Sequence, residues 1–89
     1  MLGNYKYAYT ASSALLKTGP GGIHSVLLAG GSANSTLTVY DNTAGSGTVI
    51  CVLAALIGTS ASVTLDVAFS KGCYATLSGT GASCSLAIW

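Results

Sequence analysis

Few residues in this 89-residue chain could carry acid–base, nucleophilic or metal chemistry: His24, Asp41, Asp66, Cys51, Cys73 and Cys84, with no glutamate and no arginine. Nucleophilic catalysis needs a nucleophile, a base and an orienting group that converge. His24 is followed by Ser25, but neighbours along an extended strand point to opposite faces, so the two could pair only across a distorted backbone. A second acid or base could come only from Asp41 or Asp66. His24 therefore reads as a hydrogen-bonded core or interface residue, and no residue is assigned a catalytic role. His24 and the three cysteines would suffice in number for zinc, yet no pair has the short knuckle spacing. No metal or other cofactor is expected. The stretches Gly19-Pro20-Gly21-Gly22 and Gly45-Ser46-Gly47-Thr48 lack the lysine and following helix of a phosphate loop. Turn chemistry accounts for them.

The aromatic residues carry more. Tyr5, Tyr7 and Tyr9 alternate with smaller side chains, so in a strand their rings share one face. Such a face could stack bases or sugars. With so few basic residues nearby, packing in the core or between subunits is the stronger reading. Trp89 reads either as an anchor for a partner's pocket or as core. Tyr5, Tyr7, Tyr9 and Trp89 together form the candidate interface. Asp66, inside an alternating strand, is expected to meet solvent or to pair with Lys6, Lys17 or Lys71.

Composition narrows what such an interface is for. Charged residues make up 6% of the chain, against roughly 25% in an average soluble domain. A free monomer normally keeps itself dispersed with mixed surface charge, so this chain is embedded, fibrous or covered by partners. The longest apolar run, residues 49–57, is far short of the roughly 20 residues a membrane helix needs. A membrane role is not expected. Met1 to Lys6 lacks a basic region leading into an apolar stretch, which predicts first folding in a cytoplasm. Three cysteines without CxxC spacing suit a reducing compartment and a packing role. A net charge of +1 with scattered lysines makes no stripe for nucleic acid.

A single domain of this length buries only about 60–65% of its unfolded surface. Disulfides, a metal or oligomerisation are the usual remedies, and oligomerisation is the one left. Helix periodicity is absent, and strand signals recur between turns. Strands are expected over 4–9, 12–18, 23–29, 35–41, 48–56, 62–69, 73–77 and 83–89, with residues 1–10 forming a first strand or N-terminal arm. The glycines of 19–22 are expected to turn the chain with φ > 0. Residues 23–29 are apolar enough to predict a strand covered on both faces. Residues 48–56 form the most apolar strand and so the candidate central one. Leu37 and Val39 should face the core opposite Thr36, Thr38 and Tyr40. Val63, Leu65, Val67 and Phe69 should do so opposite Thr64 and Asp66. The whole predicts one all-β domain, an antiparallel sandwich or barrel of seven or eight strands completed by oligomerisation.

Certain segments resemble a known group of proteins. His24-Ser25 in an apolar strand, Gly30-Gly31, Val39-Tyr40-Asp41-Asn42-Thr43, Ser46-Gly47-Thr48-Val49-Ile50, Val67-Ala68-Phe69-Ser70-Lys71-Gly72 and Ser78-Gly79-Thr80-Gly81-Ala82 resemble short structural proteins of tailed-phage virions. The resemblance spans about three quarters of the chain. It implies a non-enzymatic cement or decoration protein, a homotrimeric knob seated on the major capsid protein. Its place would be the capsid surface of the virion, after assembly in the host cytoplasm. The alternative it leaves open is a tail or fibre module that contacts host carbohydrate.

Overall fold

The computed structural model describes residues 6–89, and they form eight antiparallel strands. These are β1 (Lys6–Thr10), β2 (Ala14–Thr18), β3 (Gly21–Ala29), β4 (Ser35–Asp41), β5 (Thr48–Ala55), β6 (Ser60–Phe69), β7 (Gly72–Ser78) and β8 (Ser83–Ile88). Two four-stranded sheets result, ordered β1-β8-β3-β6 and β2-β7-β4-β5. β1 pairs with β8, β2 with β7, β3 with β6 and β4 with β5. The chain is thus one long hairpin, folded at the β4–β5 turn, whose successive strand pairs alternate between sheets. That winding is the eight-stranded jelly roll, a β-sandwich.

Alternation of side chains sends every second residue inward. Ile23, Leu28, Leu37, Val39, Cys73, Ala75 and Leu86 have no accessible surface and join Val26, Phe69, Cys84 and Ile88 in one core between the sheets. Leu37 and Val39 face inward as their alternation predicts, and so do Val63, Leu65, Val67 and Phe69. Cys73 and Cys84 pack as core residues, and all three cysteines are free thiols.

Three local expectations are corrected. β5 lies at a sheet edge, not the centre. Its apolar content is not matched by burial, since Val49 and Val52 stay about half exposed. β3 is central, but the outer face of its sheet is open and Leu27 is exposed there. Gly21 and Gly22 belong to β3 rather than to the turn, and only Gly19 of the 19–22 stretch has positive φ, at 87°. They are glycines for want of room. An added Cβ on Gly22 would lie 2.1 Å from the Trp89 indole, and one on Gly21 would lie 2.8 Å from the Phe69 ring.

Candidate functional site

The outer face of the first sheet holds two of the tyrosines. In β1, Ala8 turns toward the core while Tyr7 and Tyr9 are 82% and 68% exposed. Tyr5 lies outside the described residues. Tyr7 stands opposite Ala87, Ala87 opposite Ser25, and Ser25 opposite Thr64. Small side chains across the sheet leave a trough of about 330 Å³ walled by Tyr7 and edged by the hydroxyl-bearing Ser25, Ser62, Thr64 and Ser85.

Next to it the ladder is distorted. Ile23 faces Val67 and Ser25 faces Thr64, so β6 carries one more residue than β3 at this point. Asp66 takes a φ of 51° there, a conformation costly for a side-chain-bearing residue. The bulge brings the Asp66 carboxylate to Nδ1 of His24. Asp66 meets solvent, one of its two expected outcomes, and its partner is His24, at the register shift between β3 and β6, rather than Lys6, Lys17 or Lys71. The two side chains are 37% and 60% accessible, so the pair contributes at most about 1 kcal/mol.

A sandwich of two open sheets has two flanks, and here they differ in chemistry. At one flank β5 and β6 are the edge strands. Inward-facing Cys51, Leu53, Val63, Leu65 and Val67 are only partly covered there, and Val49, Val52, Leu56 and Ile57 are 49–67% exposed. No charged residue lies in β5 or in the loop to β6. At the other flank β1 and β2 are the edges, and each carries a lysine.

Trp89 continues β8 past its last residue: its N–H donates to Gly22 O and its carbonyl accepts from Gly22 N–H, both at 3.0 Å. Its indole lies against Gly22 and remains 43% exposed. It therefore packs on its own chain and still presents a face outward. Beside it, Lys6, Leu16, Lys17 and Ile88 complete a cleft of about 420 Å³.

Asp41 does structural work that its type alone did not reveal. Its carboxylate accepts the N–H groups of Ser70, at 3.1 Å, and Lys71, at 2.9 Å, and the Ser70 hydroxyl at 3.3 Å. These bonds, the Lys71 amide first, hold its carboxyl below the usual range. Asn42 organises the preceding turn as an Asx residue does, accepting from Thr43 N–H and donating to Ser46 O, both at 2.8 Å. Burial pushes the thiols of Cys51 and Cys84 upward and that of Cys73 up to about 12.

Among the described residues no three His, Cys, Asp or Glu side chains gather as a metal set. His24 and Asp66 are the one acidic–imidazole pairing among them. Sequence reasoning missed this pair because a bulge leaves little trace in composition; the signal was the unbalanced Asp66 in an otherwise apolar–polar strand. Comparison with protein-family models, with curated proteins and with solved structures gives no match.

Proposed function

We propose that this chain is a structural protein of a tailed-bacteriophage virion, a homotrimeric cement or decoration protein that binds the major capsid protein and stabilises the head shell. In this reading it is not an enzyme. It uses no cofactor, nucleic acid or membrane, and it assembles in the host cytoplasm onto the capsid surface.

The observation that carries the reading is the bare β5 edge. Natural sheets blunt their edges with lysine, proline or a covering element, and β1 and β2 each carry a lysine. β5 has none of these, and Val49, Val52, Leu56 and Ile57 lie exposed along it and its loop. Exposed apolar patches of this kind mark contact surfaces. Covering the four side chains from their present half-exposure is worth about 3–7 kcal/mol. Association itself costs about 4–15 kcal/mol. The flank alone therefore holds neighbours weakly, and stable assembly draws on Tyr7 and Tyr9 and on repeated seating along a lattice. The threefold stoichiometry and the capsid partner come from the phage resemblance.

The test is native mass at fixed concentration, followed by binding to empty heads. A trimer that binds heads, and that Val52→Lys with Leu56→Lys turns into a folded monomer, supports the proposal. A stable wild-type monomer with no affinity for heads would refute it. Removing residues 1–10 is not a clean probe, since Lys6–Thr10 is a paired strand of the first sheet. Tyr7→Ser with Tyr9→Ser probes that face without removing the strand.

A second reading is favoured by the trough beneath Tyr7. Hydroxyls beside an exposed aromatic ring suit a neutral sugar, which fits a tail or fibre module contacting host carbohydrate. Sugar binding lost in Tyr7→Ser, with label at the tail of intact particles, would favour it.

A further inference from the structure

We infer that the cleft at the β1–β2 flank is a docking site for an extended acidic segment of another protein, distinct from the β5–β6 flank. Register decides the geometry. Lys6 stands opposite Ile88 and Lys17 opposite Cys73, and both partners are buried core residues. A cross-strand partner shares the face of the residue it opposes. Both lysines are thus on the inner side of their sheets, at the mouth between them. For Lys17 the cause is a bulge at Leu16, between the pairs Leu15–Tyr74 and Lys17–Cys73. Without it, strict alternation after exposed Leu15 would turn Leu16 inward and Lys17 outward.

Lys6 and Lys17 therefore line one cleft of about 420 Å³ with Leu16, Ile88 and Trp89. The Lys17 ammonium lies over Gly21, where an added Cβ would come within 2.9 Å of it. The acidic side chains of the chain are both engaged elsewhere: Asp41 holds the β6–β7 turn and Asp66 pairs with His24. Among the described residues, neither forms an ion pair with Lys6 or Lys17. Two like charges in one cleft favour an anionic partner, in addition to the Trp89 main-chain oxygen that lies with the Lys17 ammonium beside Gly21. The apolar floor and the indole add a place for an aliphatic side chain between carboxylates. The segment is extended because β1 and β2 are the edge strands of their sheets among the described residues, and an edge strand's backbone groups can pair with an added strand. A lysine on each edge would also guard against unwanted pairing. That role alone does not require the two to share a cleft with a tryptophan.

Trp89 is the single tryptophan of the chain, so its emission reports on this site. The probe is the peptide acetyl-Asp-Leu-Asp-Leu-Asp-amide, with the Asn-for-Asp peptide as control. Expected is a saturable emission change with the acidic peptide only. Its affinity should fall at least roughly tenfold in Lys6→Gln/Lys17→Gln and at high salt, and stay unchanged in Lys71→Gln. Lys6→Arg/Lys17→Arg should retain binding, which separates lost charge from lost fold. Equal affinity for the neutral peptide, or full binding by the Gln variant, would overturn the inference. So would a short oligonucleotide that binds in the peptide's place with the same lysine dependence. Because the β5 edge is untouched by these changes, failure here leaves the oligomer measurement of the proposed function standing on its own.

Discussion

Replacing Gly22 by alanine tests the packing logic of the β3–β8 junction with one methyl group. A Cβ at this position would lie 2.1–2.4 Å from three atoms of the Trp89 indole, where van der Waals contact needs more than a further ångström. The backbone around it is fixed by the two Gly22–Trp89 hydrogen bonds, so the ring has to yield. Trp89 is 43% exposed, and the covered remainder amounts to roughly 130–150 Å² for a side chain of this size. At about 25 cal/mol per Å², expelling the ring costs up to about 3–4 kcal/mol. In a domain of this length a full loss lowers Tm by about 13–30 °C. Thermal and urea unfolding followed by circular dichroism, at one protein concentration, measures the loss, and the Trp89 emission should shift to the red. In a Trp89→Ala background the same Gly22→Ala change should cost little, because the clash is gone. A Gly22→Ala protein with Tm within about 3 °C of wild type and unshifted emission would refute the reasoning.

Other expectations concern the charged and sulfur-bearing groups. Asp41→Asn should lower Tm at pH 7. Because the native carboxyl lies below its usual 3.8, its contribution is present above that pH and is lost as pH falls through the native value. The difference between the proteins should therefore close in acid melts. Asp66→Val should cost about 1–2 kcal/mol more than Asp66→Asn in urea unfolding, since a β-branched residue tolerates a φ of 51° poorly. A double-mutant cycle of His24→Ala with Asp66→Asn should return a coupling no larger than about 1 kcal/mol. Cys73, with its thiol pushed up to about 12 by burial, should resist thiol reagents at pH 8 in the folded protein and react on unfolding. Its burial as a neutral thiol should also cost stability as pH rises above 9, more so in wild type than in Cys73→Ala.

Two kinds of information separate in this protein. Local physics was written in the sequence. Alternation at Leu37 and Val39, and at Val63, Leu65 and Val67, marked the inward faces, and the Gly, Asn and Ser clusters marked the turns. All eight strands follow, within a few residues, because period-two patterning and turn chemistry act over neighbours. What only the tertiary structure decided depends on contacts between residues far apart in the chain. The apolar content of β5 looked like burial, but strand order put it at an edge. Gly21 and Gly22 looked like turn residues, but Phe69 and Trp89 occupy the space their side chains would need. Asp66 met His24 because a bulge shifted the register between β3 and β6, and Lys17 turned inward because a bulge at Leu16 reversed the facing that strict alternation assigns. Neither a sheet edge nor a bulge changes a residue's type. Tyr7, Tyr9 and Trp89 stood out by type, but the bare β5 edge and the cleft shared by Lys6, Lys17 and Trp89 were invisible until the eight strands were placed side by side.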